Sequence, residues 1–242
     1  MNLLTKDVLF NIATFLPLND LLSFCSSSDR INRLVCKDKN IWNFKLMKEF
    51  PNYKDHINQK GREAYELLIA LNKLKKEFKY QGTIYDLYKE TKLDLSYKGL
   101  TIVPPEIGNL SNLQSLNLST NQITILPPEI GNLSQLQMLY LDNNQIAISH
   151  PEIGNLIQLR TLRLDNNQIA ILPPEIGNLS RLQKLYLDNN QITTLPPEIG
   201  KLTNLKYFGL ENNKIEILPP EIGNLKNLED LYLRLKFFLL TK

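Results

Sequence analysis

Cysteine is nearly absent from this 242-residue chain, which contains only Cys25 and Cys36. The two form no CxxC pair and have no histidine nearby, so neither a metal site nor redox chemistry is expected of them. Such isolated cysteines are typical of a reduced intracellular compartment. We therefore expect the chain in the cytoplasm, or in the host cytoplasm if it comes from a virus or an intracellular bacterium.

Long apolar runs are also lacking. Lys6 and Asp7 interrupt the apolar N-terminus, and no small-residue cleavage site follows them, so we expect no secretion signal. The apolar run at residues 237–240 is far too short to span a bilayer, and no membrane association is expected. The net charge of +3 is too small to indicate a nucleic-acid partner.

Motifs of catalysis and of cofactor binding are missing as well. The chain has no phosphate-binding loop and no nucleophile elbow. Both cysteines lie in apolar helical stretches without an evident base beside them. We therefore expect a binding protein with no enzymatic activity, no cofactor and no metal.

The chain is instead dominated by an internal repeat of 23 residues. The string PEIG recurs in every repeat, and its isoleucine falls at Ile107, Ile130, Ile153, Ile176, Ile199 and Ile222. Between these strings runs a second pattern, L-x-x-L-x-L-x-x-N-x-I, with the same period. One repeat cannot bury its own apolar face, so stability must come from the stacking of repeats.

Each part of the repeat predicts a local structure. The L-x-L pair alternates with polar residues, which indicates a short strand with one buried face. An asparagine follows, whose side chain can pair with backbone amides that would otherwise stay unsatisfied at about 1–3 kcal/mol each. These ladder asparagines are Asn121, Asn144, Asn167, Asn190 and Asn213. The Pro-Pro string then favours an extended segment, and Glu-Ile-Gly-Asn-Leu predicts a helical or 3₁₀ turn.

With these motifs, residues 93–235 resemble the leucine-rich-repeat family, in its short class that carries LPPEIG. The resemblance implies a curved solenoid with a concave parallel sheet. Lys98 replaces the ladder asparagine of the first repeat, Ser149-His150 replaces Leu-Pro in the third, and Lys236 occupies the last ladder position. Residues 237–240 beyond it either fold back over the last repeat or leave an uncovered sheet edge.

Two columns of outward residues on the predicted concave sheet form a candidate docking surface. One column consists of Asn117, Tyr140, Arg163, Tyr186, Gly209 and Tyr232, and the next consists of Ser119, Asp142, Asp165, Asp188 and Glu211. Tyrosine and arginine are favoured interface anchors, and the carboxylates would attract a basic partner. We predict that an unknown protein partner contacts Tyr140, Asp142, Arg163, Asp165, Tyr186, Asp188, Glu211 and Tyr232. The alternative is that the acidic column only repeats the copied LDNNQ string.

The first 50 residues predict a small helical unit of a different kind. Apolar residues recur at helical spacing from Leu4 to Leu16, Pro17 ends this helix, and Asn19-Asp20 can cap the next. The segment LTKDVLFNIATFLPLNDLLSFCSSSDRINRLVCKDKNIW resembles an F-box. The residues that match the F-box pattern are Leu4, Val8, Leu9, Ile12, Leu16, Asp20, Leu21, Leu22 and Trp42, and those that depart from it are Thr5, Ser27, Ser28 and Ile31.

The F-box resemblance implies that this unit binds the Skp-type adaptor of a cullin ubiquitin ligase. The residues implied at or under the adaptor interface are Leu4, Leu9, Ile12, Leu16, Leu21 and Leu22. The alternative for this segment is a generic helical cap. Residues 51–91 carry apolar residues at helical spacing and no Gly/Ser-rich stretch, so they predict a packed helical spacer.

Together these features predict an α/β chain of three parts. A small all-α F-box domain occupies residues 1–50, a helical spacer residues 51–91, and a leucine-rich-repeat solenoid with a concave parallel sheet residues 92–242. The first functional hypothesis is a substrate receptor of a Skp–cullin–F-box ubiquitin ligase, acting as a monomer within that complex. The second is a repeat scaffold that binds a signalling protein, such as a small GTPase, with no link to ubiquitin.

Overall fold

A computed structural model describes residues 6–57, 59–147 and 150–233. Contacts between Cα atoms divide the chain into two compact units, residues 1–85 and 86–242. Most of the predicted spacer therefore belongs to the same unit as the N-terminal helices, while the three-part division at residues 50 and 91 stays a prediction. The expectations for Leu4, for Ser149 and for residues 236–240 lie outside the described residues.

The first unit is built from helices. Their bounds are Lys6–Phe15 for α1, Leu18–Ser26 for α2, Asp29–Ile31 for α3, Lys39–Glu49 for α4 and Gly61–Glu77 for α5, with Ile84–Lys89 for α6 at the division between the units. A π-helical turn, Asn32–Cys36, continues α3. Pro17 separates α1 from α2 as expected, but α2 begins directly after it. The core of the unit includes Leu9, Ala13, Leu21, Val35, Ile41, Trp42, Leu46, Tyr65 and Leu68.

A buried lysine links three of these helices. Lys45 of α4 donates from Nζ to the carbonyl of Leu16, just beyond α1, over 2.7 Å and pairs with Glu49 Oε1 at 3.3 Å. Glu49 in turn accepts a hydrogen bond from the hydroxyl of Tyr65 in α5 over 2.8 Å. Burial and the hydrogen bond to Glu49 both raise the pKa of Tyr65. Polar contacts therefore fix the relative placement of α1, α4 and α5, in addition to the apolar packing between these helices.

Cys25 of α2 and Cys36, at the end of the π-helical turn, are joined by a disulfide with their Cα atoms 5.9 Å apart. This finding corrects the expectation that Cys25 and Cys36 are isolated, reduced cysteines. The spacing of 11 residues did not indicate the bond, because only the folding of α2, α3 and the π-helical turn brings the two sulfurs together. Trp42 donates from Nε1 to the Cys36 carbonyl over 2.8 Å and so fixes the end of the turn.

The second unit contains a parallel sheet of seven strands in chain order. The strands are Lys92–Asp94 for β1, Ser115–Asn117 for β2, Met138–Tyr140 for β3, Thr161–Arg163 for β4, Lys184–Tyr186 for β5, Tyr207–Gly209 for β6 and Asp230–Tyr232 for β7. Residues pair with those one repeat away, as Leu116 does with Leu139 and Leu139 with Leu162. The predicted α/β class, with its parallel-sheet solenoid, is confirmed.

A 3₁₀ turn closes the outer side of each repeat. The turns are Pro105–Asn109, Pro128–Asn132, Pro151–Asn155, Pro174–Asn178, Pro197–Lys201 and Pro220–Asn224. The residue before each turn is extended, such as Pro127 with φ −71° and ψ 146°, which agrees with the Pro-Pro prediction. Gly131 shows how closely the turns pack, since a Cβ there would lie 2.8 Å from the carbonyl oxygen of Glu152 in the next repeat.

The ladder asparagines hold one repeat to the next as predicted. Asn167 donates from Nδ2 to the Leu141 carbonyl of the preceding repeat over 3.0 Å and to the Leu164 carbonyl of its own over 3.1 Å. Its Oδ1 accepts from the Ile146 amide over 2.9 Å. The same pattern recurs at Asn121, Asn144, Asn190 and Asn213. In the degenerate first repeat, the backbone amide of Lys98 donates to Asn121 Oδ1 over 3.1 Å.

Asn167→Ala should destabilise the repeat unit by about 2–4 kcal/mol, because it leaves several buried backbone groups unpaired at once. Urea unfolding monitored by circular dichroism measures this loss. Gln168→Ala, at the exposed neighbouring position, is the matched control and should leave the midpoint unchanged. Equal stability of the Asn167 and Gln168 variants would contradict the role given to the ladder.

Candidate functional site

The register of the sheet aligns the outward side chains into columns. Strand pairing places Tyr140, Arg163, Tyr186, Gly209 and Tyr232 side by side across β3 to β7. We call this the central column. Asp142, Asp165, Asp188 and Glu211 follow two residues later in the same repeats, and we call them the acidic column. That a partner contacts these residues stays a prediction.

Arg163 neutralises one end of the acidic column. Its Nε lies 3.2 Å from Asp165 Oδ1 and 3.7 Å from Asp142 Oδ1. The guanidinium carbon lies 5.1 Å from the centre of the Tyr186 ring, a distance typical of a cation–π contact. One arginine therefore bridges two carboxylates and stacks on the neighbouring tyrosine.

The first two carboxylates of the acidic column are largely occupied within the chain. Asp142 and Asp165 are both buried. Ser119 donates from Oγ to Asp142 Oδ1 over 2.7 Å, and Asn143 donates from Nδ2 to Asp142 Oδ2 over 2.8 Å. With Arg163 beside them, these two carboxylates contribute to the fold and have little capacity left for a partner.

Asp188 and Glu211, at the other end of the column, have a different environment. Asp188 is half-buried and accepts at Oδ1 the backbone amide of Glu211 over 2.7 Å. Burial raises the pKa of Asp188, the hydrogen bond from Glu211 opposes that shift, and the negative charges of Asp165 and Glu211 add to it. Glu211 itself is exposed. Negative charge is therefore concentrated at this end of the surface.

A row of stacked tyrosines borders the same end. The ring of Tyr207 lies 4.3 Å from that of Tyr186 and 5.2 Å from that of Tyr232, measured between ring centres. Burial and the neighbouring charge of Asp188 raise the pKa of Tyr207 to about 12. Sequence reasoning missed Tyr207, although its position at the start of a strand, two residues before the central column, marks it as outward-facing.

Gly209 is the central-column residue that lacks a side chain. It lies between Tyr186 and Tyr232 in that column. A Cβ at Gly209 would collide with the carboxylate of Asp188, which leans over this position. The carboxylate of Asp188 therefore occupies the space that a side chain at position 209 would fill.

The residues expected at the adaptor interface fall into two groups. Leu9 and Leu21 are buried in the core of the first unit. Ile12 is exposed by 38%, and Leu16 and Leu22 are half-buried. Val8 and Phe15, which were not among the expected contact residues, are exposed by 42% and 77%.

Comparison with known families identifies the repeat unit. One family model, described as a leucine rich repeat, matches residues 91–146, and another, described as a leucine-rich repeat region, matches residues 145–237. Leucine-rich-repeat regions therefore extend over residues 91–237 of this chain. The F-box resemblance of the N-terminal helices stays a prediction.

Solved structures share the repeat. The LRR ectodomain of the receptor kinase GASSHO1/SCHENGEN3 from Arabidopsis thaliana, solved with CASPARIAN STRIP INTEGRITY FACTOR 2, is 32% identical over 52% of this chain and 16% of its own, with a TM-score of 0.50. An internalin from Listeria monocytogenes is 33% identical over 52% of this chain and 36% of its own, with a TM-score of 0.46. A leucine-rich-repeat protein from Leptospira interrogans is 34% identical over 62% and 50%, with a TM-score of 0.37. The chain matches half or less of each of these proteins.

A search of curated proteins found no match. Family matches and fold together define residues 91–237 as a leucine-rich-repeat solenoid. None of the helices in the described ranges combines the length and the hydrophobicity that spanning a bilayer requires. In the same residues, no three side chains of histidine, cysteine, aspartate or glutamate group together as a metal site.

Asp188→Asn should stabilise the repeat unit at neutral pH. Because the pKa of Asp188 is raised in the folded state, its ionised form destabilises the fold above that pKa. This penalty disappears as the pH falls through the folded-state pKa towards the ordinary value of 3.8. We expect the variant to melt about 1–3 °C higher than the parent at pH 7, with the difference shrinking near pH 4, as measured by calorimetry. A lower melting temperature at pH 7 would contradict this account.

Proposed function

We propose that this chain is a substrate receptor of a Skp–cullin–F-box ubiquitin ligase. In this role the N-terminal helices dock on the Skp-type adaptor, and the concave face of the repeats holds the protein to be modified. The chain carries out no chemistry itself and contributes proximity and orientation. We place it in the cytoplasm as a monomer within the complex, where the adaptor connects it to the cullin.

An exposed apolar row on α1 is the observation that carries the adaptor part of the proposal. Val8, Ile12 and Phe15 follow the spacing i, i+4, i+7, which puts them on one face of the helix. Phe44 and Met47 of α4 add further exposed apolar surface to the same small unit. Exposed apolar groups clustered in this way indicate a protein interface. The row lies in the segment that resembles an F-box.

The contact between Phe15 and α4 supports a pre-formed surface. The Nζ of Lys48 lies 4.9 Å from the centre of the Phe15 ring, so this exposed ring has a defined neighbour. Lys45 of α4 holds the C-terminal end of α1 in place through its hydrogen bond to the Leu16 carbonyl. A row that is held in place loses little side-chain entropy on binding.

The double variant Ile12→Glu, Phe15→Glu tests adaptor docking. Two carboxylates buried against an apolar adaptor surface should lower recovery of the Skp-type adaptor about ten-fold or more. The tagged full chain is used for the pull-down, with immunoblotting for the adaptor. Leu9 is left unchanged because it lies in the core.

Ile217→Glu is the matched control, since Ile217 of the repeat unit is exposed by 79%. It should bring down as much adaptor as the parent chain. Thermal unfolding of all three proteins checks that the double variant is folded. The ligase proposal is abandoned if the parent chain recovers no adaptor, or if the folded double variant recovers as much as the control.

A second candidate function is a repeat scaffold for a signalling protein, such as a small GTPase, without a link to ubiquitin. The disulfide between Cys25 and Cys36 counts against the ligase, because disulfides are rare in the reducing compartment where the ligase acts. It favours a scaffold whose partner lies outside that compartment, and it does not favour a small GTPase, which acts inside it. Alkylation of the chain in lysed cells, followed by mass spectrometry, reports the state of both cysteines. Free thiols support the ligase proposal, and a bonded pair counts against it and supports a scaffold outside the reducing compartment.

A further inference from the structure

Two groups of four residues occupy equivalent places on the concave face, two repeats apart. The first group is Asp142, Arg163, Asp165 and Tyr186, and the second is Asp188, Gly209, Glu211 and Tyr232. Both have a carboxylate in one repeat, a second carboxylate in the next and a tyrosine in the repeat after that. They differ at the central position, where one has arginine and the other has glycine.

The first group shows what a guanidinium does in this geometry. Arg163 reaches Asp165 at 3.2 Å and Asp142 at 3.7 Å, while its guanidinium carbon lies 5.1 Å from the centre of the Tyr186 ring. The cation offsets two carboxylates that the repeat brings together. The side chain is supplied by the chain itself, so this group is complete.

Among the described residues, no cation stands at the corresponding place in the second group. Gly209 offers no side chain, and the carboxylate of Asp188 leans over it. The groups whose charges act on Asp188 are Asp165 and Glu211, and both raise its pKa. Two carboxylates are therefore held near one another beside a half-buried surface, and residue 209 contributes no charge to offset them.

Stacked aromatic rings stand beside this position. Tyr207 lies between Tyr186 and Tyr232, and the charge of Asp188 contributes to the raised pKa of Tyr207. Tyr232 is exposed by 45% and Glu211 is exposed, so the group is open to solvent. Carboxylates next to aromatic rings form an environment that favours a flat, delocalised cation.

We propose that Asp188, Glu211 and Tyr232 bind an arginine side chain of the partner protein, which takes the place that Arg163 takes two repeats earlier. The inference rests on the protein-binding function of the repeats, but it does not depend on the ubiquitin ligase. Arginine fits better than lysine because its planar fork can bridge two carboxylates and stack on a ring at the same time.

Fluorescence anisotropy with the full chain tests the proposal. The probe is a fluorescein-labelled peptide in which arginine alternates with glycine, measured at low ionic strength. Two matched peptides carry lysine or citrulline in place of arginine, since citrulline has nearly the same shape without the charge. We expect the affinity to fall from arginine to lysine and to be lost with citrulline.

Two variants locate the binding on the chain. Asp188→Asn removes one carboxylate. Gly209→Arg supplies an arginine from the chain itself. The new side chain can be accommodated because the group that its Cβ would meet is the carboxylate of Asp188, the movable end of a side chain. Each should weaken binding of the arginine peptide about ten-fold. Glu216→Gln, an exposed change of the same charge outside the group, should bind as tightly as the parent. Thermal unfolding shows whether each variant is folded.

Three results would overturn the proposal: no binding of the arginine peptide to the parent chain, equal binding of the citrulline peptide, or equal binding to the folded Asp188 and Gly209 variants. The last result would mean that the arginine peptide is attracted to negative charge anywhere on the chain and not to this group of residues. Adaptor recovery with the same variants is expected to stay unchanged. Peptide binding without adaptor recovery would refute the ligase and leave the arginine site standing.

Discussion

The side-chain amide of one asparagine in each repeat is the interaction on which the solenoid depends. In a short parallel strand followed by an inward turn, backbone groups point where no backbone partner can reach them. Asn167 and its equivalents pair with those groups in their own repeat and in the preceding one. The apolar core becomes possible only because these polar groups are satisfied.

The ladder also fixes the register and so determines which side chains meet on the concave face. Residues 23 positions apart lie side by side on neighbouring strands, so a residue type that recurs in every repeat forms a column on the sheet. A residue that departs from the repeat changes the surface only at its own position. Arg163 and Gly209 are two such exceptions in the central column. These departures distinguish one part of the surface from another, while the repeated residues build the sheet that supports them.

Much of this could be predicted from the sequence, because a fixed period and an alternating pattern specify strand, turn and ladder without knowledge of distant contacts. The columns followed from the same period. The burial of Asp142 and Asp165 did not, since it depends on how Ser119 and Arg163 pack around them. The stacking of Tyr207 on Tyr186 and Tyr232 did not follow either, since it depends on how the three rings orient across neighbouring strands. The disulfide required the fold of three short helical segments, which carry no periodic pattern.

The in-register pairing of strands has a consequence for how such a chain can change its length. Adding or removing one whole repeat would leave every asparagine facing a backbone of the same shape, and every strand beside an equivalent neighbour. An insertion of any other length within a strand would shift the leucines out of the core and break the ladder on both sides. The chain can therefore grow or shrink only by complete repeats, and a repeat added or removed outside residues 186–232 would move Gly209 relative to the ends of the solenoid without altering its immediate surroundings.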